Sequence, residues 1–239
     1  MKRILLPVLI LLALAGCSST QNLFSGKFVR SVEPFNWSGG EVTDNSKSYY
    51  WLNRSATEPQ SASDYVELSN DAWYKSSYKW QNGMIREIVR EGQTAQNSHD
   101  LQRYLVHIRF SNTGEAIYQR YRIGNQVFPL NQPDLDRYVE EAERIVTKVE
   151  ALHSDNLKLI QGIWDGQTFE ACDGQQYTNI NFQNTKLPLA IKDRINTLNS
   201  YVAFIGMTNP KQNSVTVNQL ISMNDADYPC IQRPHLNMN

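Results

Sequence analysis

From Trp73 onward apolar and polar residues alternate. "WYKSSYKW" has a period of two, and Asn82-Gly83 follows almost at once. Asn-Gly between strand-like runs signals a hairpin, because both central residues of a type I′ turn need positive φ. In the second arm, "MIREIVRE", Ile85, Ile88 and Val89 break the alternation, so a bulge or a strand buried on both sides is expected. "LQRYLVHIRF" alternates cleanly. Tyr104, Val106, Ile108 and Phe110 form its core face, and Leu101, Arg103, Leu105, His107 and Arg109 the other. "SNTG" turns the chain and "EAIYQRYRI" returns it. The aromatic-turn-strand order at Trp80–Ile85 recurs at Phe110–Ile117, which predicts two successive hairpins of one antiparallel meander.

Upstream, "GKFVRSVEPF" and "SYYWLNRS" predict strands. "WSGGEVTDNSKS" and "ATEPQSASD" predict loops, being rich in Gly, Ser, Asn, Asp and Pro. Downstream the period changes. Leu135, Tyr138, Val139, Ala142, Ile145, Val146, Val149 and Leu152 form one stripe at 3.6 spacing, predicting an amphipathic helix over 133–153. Pro133 suits its start, and Asp134 and Asp136 suit its first turn. Glu140, Glu141, Arg144 and Lys148 are assigned to its wet side. The mixed polar face favours packing on the meander over binding a membrane.

Residues 157–232 predict a second small unit. "LKLIQGIW", "QTFEAC" and "QYTNINF" are short strands separated by Asp165-Gly166 and Asp173-Gly174 turns. "LAIKDRINTLN" predicts a short helix. "SYVAFIGM" and "SVTVNQLISM" predict a hairpin across "TNPKQN", and "RPHLNMN" predicts a frayed tail.

At the other end, Met1-Lys2-Arg3 precedes an apolar run from Ile4 to Leu14. This has the charge and length of a secretory signal and is shorter than the roughly 20 residues a spanning helix needs. Leu14-Ala15-Gly16-Cys17 resembles the bacterial lipobox. That resemblance implies that the Cys17 thiol is diacylglycerylated and that cleavage precedes it. It also implies that Ser18, in place of Asp, sends the lipoprotein to the outer membrane. Stable anchoring takes two or more acyl chains.

Loss of residues 1–16 would leave 21 Lys and Arg against 24 Asp and Glu, so no basic face is expected and nucleic acid is not a predicted partner. Export would put Cys172 and Cys230 in an oxidising compartment, where a lone pair bonds. Neither has a His at ligand spacing. His99, His107, His153 and His235 are scattered, and no nucleophile elbow, phosphate loop or His-Glu-x-x-His occurs. No metal or cofactor is predicted. Asp225-Ala226-Asp227 alone is too few ligands for Ca²⁺. Trp51, Trp73, Tyr78 and Trp80, among the crowded early aromatics, are candidate glycan-stacking residues. Strand pairing is the competing role for such residues.

The lipobox, "YKWQNGMIREIVRE", "IRFSNTGEAIYQR", Cys172 and Cys230 resemble the YjaH-like family of uncharacterised Gram-negative lipoproteins over most of the chain. That family carries no assigned activity. The resemblance implies a compartment and no mechanism.

The expected architecture is α+β and β-rich: an antiparallel meander with one long amphipathic helix and a second small disulfide-linked β unit. The expected boundaries are a signal peptide at 1–16, a lipidated tether at 17–25, the meander plus helix at 26–153 and the small unit at 154–239. The expected protein is an outer-membrane lipoprotein with its body in the periplasm. It would act as a non-enzymatic interaction or assembly protein, with another envelope protein or peptidoglycan as partner. A glycan or small-ligand binder is the alternative, and a cell-wall hydrolase ranks third.

Overall fold

A computed structural model describes residues 34–95, 101–182, 193 and 199–236. The signal segment, Cys17 and the tether lie outside the described residues, as does most of the predicted helix "LAIKDRINTLN". Glu33–Asn239 forms one compact unit. It is mostly β with one long helix, as the alternation predicted.

Eight strands pair consecutively into one antiparallel sheet. They are β1 (Phe35–Thr43), β2 (Ser46–Arg54), β3 (Pro59–Leu68), β4 (Trp73–Gln81), β5 (Met84–Ala95), β6 (Leu101–Phe110), β7 (Ala116–Ile123) and β8 (Gln126–Phe128). Asn82 and Gly83 turn β4 into β5 with φ of 55° and 73°, the conformation that Asn-Gly favours. The irregular second arm is a register shift between Lys79 and Trp80.

Two predicted loops are strands. "WSGGEVTDNSKS" supplies most of β1 and the start of β2, with only Asp44 and Asn45 between them. Its glycines are there for close approach. A Cβ on Gly39 would lie 2.8 Å from Leu152 of the helix, and one on Gly40 would lie 2.4 Å from the Ser48 carbonyl and 2.8 Å from Ile221. "ATEPQSASD" runs into β3 at Pro59. Its serines are satisfied from the far end of the chain. Arg233 Nη2 donates to Ser61 Oγ at 3.1 Å, and Ser63 Oγ donates to the Pro234 carbonyl at 3.0 Å.

Helix α1 (Gln132–Ser154) starts with a capping box in which Asn131 Oδ1 accepts from Asp134 N and Asp134 returns the bond. Its stripe of Leu135, Tyr138, Ala142, Ile145 and Val149 packs on Tyr50, Leu52, Ala62, Tyr78, Ile88, Val106, Ile108 and Phe110 of the sheet. The helix therefore covers the meander, the role its mixed polar face predicted. That face is not simply wet. Glu141 reaches Arg90 of β5, Arg144 and Lys148 reach Glu41 of β1, and Glu150 pairs with Arg54 of β2. Burial pushes the Glu41 carboxyl up, but the Tyr50 hydroxyl, Arg144 and Lys148 outweigh it and hold it below the usual glutamate value. His153 stacks on Trp37 with ring centroids 3.8 Å apart.

After α1 come β9 (Lys158–Trp164), β10 (Phe169–Ala171), β11 (Gln176–Tyr177), β12 (Asn179–Asn181), β13 (Ser200–Asn209) and β14 (Ser214–Asp225). They make a second sheet in the order β11-β10-β9-β13-β14-β12. The predicted β13–β14 hairpin is present, with a 3₁₀ turn at Pro210–Gln212. β13 is apolar without alternation because both its faces are buried. Val202 and Phe204 join one cluster with Trp164, Phe169 and Val217. Tyr201, Ala203 and Ile205 join another with Tyr49 of the first sheet, Leu159 and Ile221. The second sheet thus packs on the side of β1 and β2 away from the helix.

Cys172 and Cys230 are disulfide-bonded. The segment beyond Cys230 is not frayed through residue 236. Ile231 exchanges two hydrogen bonds with the Gln161 side chain, Arg233 reaches Asn53, and Leu236 N donates to Ser77 Oγ at 3.1 Å. The tail crosses the outer side of β2, β3 and β4, where partners distant in sequence stand in for a helix or strand of its own.

Candidate functional site

The four aromatics singled out by sequence fall on opposite faces of the large sheet. Tyr78 and Trp80 are 0% and 9% exposed beneath α1. Trp51 packs between the sheets. Trp73 is half-buried on the same outer face, where its Nε1 donates to Gln93 at 3.1 Å. Trp73 borders two hollows. One, about 480 Å³, is walled by Tyr65, Glu67, Asp44, Asp71 and Lys47 around the β1–β2 and β3–β4 turns. The other, about 510 Å³, lies beyond Trp73 against Lys75, Glu91, Arg103, Leu105 and Arg122.

Beneath the helix sits a charged cluster that the periodicity did not reveal. Arg90 and Asp64 are 4% and 2% exposed. Arg90 donates to Ser76 Oγ at 2.8 Å, to the Tyr78 hydroxyl at 2.9 Å and to Glu141 at 2.5 Å. Its guanidinium lies 4.0 Å from the Tyr74 ring centroid and 4.9 Å from that of Tyr138. Tyr78 in turn donates to Asp64 Oδ2 at 3.2 Å. Burial pushes the Asp64 carboxyl above the ordinary aspartate value despite Arg90, and Asp64 Oδ1 has no hydrogen-bond partner among the described residues. Perturbed, coupled groups of this kind mark active sites as well as structural ion pairs. Here three tyrosine rings and α1 close over them, so the cluster clamps helix to sheet.

The outer face of β4 to β7 is different. Register places Lys75 and Lys79, Glu87 and Glu91, Arg103 and Arg109, and Arg120 and Arg122 on it in successive strands. Lys75 pairs with Glu91 at 2.7 Å, and Glu87 pairs with Lys79 and hydrogen-bonds His107. Arg103, Arg109, Arg120 and Arg122 are exposed, and none pairs with a carboxylate among the described residues. The sequence expectation of no basic face is therefore corrected. A whole-chain balance near zero hides a segregated patch, because the acidic partners of other cations sit under and beside α1. Exposed Tyr118 and Val127 flank the arginines. The signal was in the sequence: Arg103, Arg109, Arg120 and Arg122 all occupy outward positions of two alternating strands.

The remaining candidates do not converge. His107 is buried against Glu87 and Tyr118, His153 is on Trp37, and His235 is exposed in the tail. His99 lies outside the described residues. Asp225 ends β14 and Asp227 follows it. Among the described residues no group of three or more His, Cys, Asp and Glu could hold a metal ion, and no helix is long and apolar enough to cross a membrane.

Residues 1–18, which contain Cys17, match the prokaryotic membrane lipoprotein lipid attachment site, so the chain is a membrane-anchored lipoprotein. No curated protein and no solved structure matches it. Residues 38–235, from β1 through the packed tail, match the family described as "Protein of unknown function (DUF1481)", and the chain belongs to that family.

Proposed function

We propose that this lipoprotein is a non-enzymatic binding protein of the cell envelope, held at the outer membrane through Cys17 with its body in the periplasm. Its resemblance to YjaH-like lipoproteins and Ser18 after the lipobox cysteine support that placement. The binding surface is the outer face of β4 to β7. The observation that carries this reading is four exposed, unpaired arginines on adjoining strands, two of which, Arg103 and Arg122, line a hollow. Guanidinium groups recognise carboxylates and phosphates in bidentate fashion, so the occupant is an anionic envelope component. Crosslinked affinity capture from cells tests this with the tagged lipoprotein, Cys17→Ala and Arg103→Glu/Arg122→Glu. One anionic component enriched by the parent and depleted by both variants is expected. Equal capture by the arginine variant would remove this face from the function. Turnover by the pure protein, lost on a single Asp, Glu or His substitution, would make it an enzyme instead.

A second reading rests on the other hollow, where Tyr65 and Trp73 stand 6.3 Å apart beside Glu67. Two tilted rings with a nearby carboxylate suit a sugar. Quenching of tryptophan fluorescence by muropeptides, abolished in Trp73→Phe, is expected if this hollow binds glycan. Unchanged emission at saturating muropeptide would dismiss it.

A further inference from the structure

We infer that the anionic component bound by the arginine face is the phosphate-bearing lipid surface of the very membrane that holds the acyl chains, so that the protein touches its membrane twice. This rests on the reading of that face as a binding surface and gives it an occupant. Three observations favour lipid over a compact protein partner.

The first is shape and charge. Arg103 and Arg109 lie six residues apart on β6, about 20 Å along the strand, and Arg120 and Arg122 lie on the next strand, about 5 Å away. This is a broad array of cations carried on a sheet surface. Among the described residues, β4 to β7 present Lys75, Lys79 and these four arginines outward against Glu87 and Glu91. Cations near an anionic bilayer each add to the attraction, and the attraction fades within a Debye length.

The second is the apolar fringe. Val127 is 65% exposed on the edge strand opposite Arg122, and Tyr118 is 40% exposed opposite Arg109. Arginine with tyrosine and an aliphatic neighbour suits the headgroup boundary, where the polar ends stay wet and the apolar bodies do not.

The third is reach. Sixteen residues lie between Cys17 and Pro34, where the described body begins. Fully extended they span at most about 60 Å. A body of this size has a radius of gyration near roughly 17 Å. The tether is therefore long enough for any face to meet the bilayer, and anchoring raises the local concentration of lipid at that face. A weak second contact then suffices to orient the body.

Vesicle flotation of the full mature chain carrying Cys17→Ser, which removes the acyl chains, tests this directly. Co-flotation with phosphatidylglycerol-containing vesicles, absent with phosphatidylcholine alone and lost in high salt, is the expected result. Arg103→Gln/Arg122→Gln should weaken partition about twenty-fivefold, taking roughly fivefold per arginine. Lys211→Gln, in the distant β13–β14 turn, should leave it unchanged. Near-ultraviolet circular dichroism of each variant checks that the body remains folded. Equal flotation on neutral vesicles, no flotation on either, or flotation indifferent to the arginines would each overturn the lipid assignment. If flotation fails while the arginine variant still loses its captured envelope component in cells, the binding face stands and its occupant is a macromolecule other than lipid.

Discussion

Replacing Arg90 with Met is expected to cost about 3–5 kcal/mol, because it leaves the buried Asp64 and half-buried Glu141 carboxylates without their cation. Asp64 would keep the Tyr78 hydroxyl at 3.2 Å but no cation, and Glu141 would lose its 2.5 Å partner across the helix–sheet boundary. In a chain of this size that loss lowers Tm by roughly 10 °C. The deficit should depend on pH, with a sign set by Asp64. Burial raises its folded-state pKa, so folding favours the protonated carboxyl and the ionised form costs stability. That cost is present above the folded value and disappears as pH falls through it. Thermal melts of Arg90→Met should therefore approach the parent on acidification from neutrality. A triple variant that adds Asp64→Asn and Glu141→Gln should recover much of the loss at neutral pH. If Arg90→Met melts with the parent at every pH, the cluster does not clamp the helix.

Removing the disulfide as Cys172→Ser/Cys230→Ser is the second large effect. The bond spans 58 positions. Loop-closure entropy puts its contribution at about 4 kcal/mol, and measured losses for such bonds run to about 2–5 kcal/mol. Its effect should be uneven. Cys230 begins the tail that hydrogen bonds tie to Gln161, Asn53, Ser63 and Ser77. Hydrogen exchange at the Ile231 and Leu236 amides should accelerate more than exchange in the middle of α1. Uniform acceleration would mean that the tail holds its place without the covalent link.

The elements that sequence reading located share a physical trait: their determinants are neighbours in the chain. Asn82-Gly83 chooses its own turn. The stripe from Leu135 to Val149 selects a helix and shows which side must be covered. Alternation in β6 assigns Val106, Ile108 and Phe110 to the core and Arg103 and Arg109 to the surface. A lone cysteine pair with an export signal points to one bond.

The rest depended on groups far away in sequence. Gly39-Gly40 resembles a loop until Leu152 and Ile221 are seen to leave no room for a Cβ. Ser61 and Ser63 look solvated until Arg233 and Pro234 arrive to bond them. Periodicity alone assigns Glu141 to a wet helix face, but Arg90 of β5 lies beneath it. The arginine face shows the same division. Each outward position could be read from its own strand, but the patch exists only because pairing sets β6 beside β7 while the carboxylates that would neutralise it are drawn elsewhere. By itself the sequence determined the strands from Trp73 to Ile123, the β13–β14 hairpin, the long helix, the lipid anchor and the cysteine pair, since local geometry and short-range periodicity encode them. Only the tertiary structure decided which charges are buried, which are paired and which face outward, because electrostatic partners and steric limits are set by distances in space.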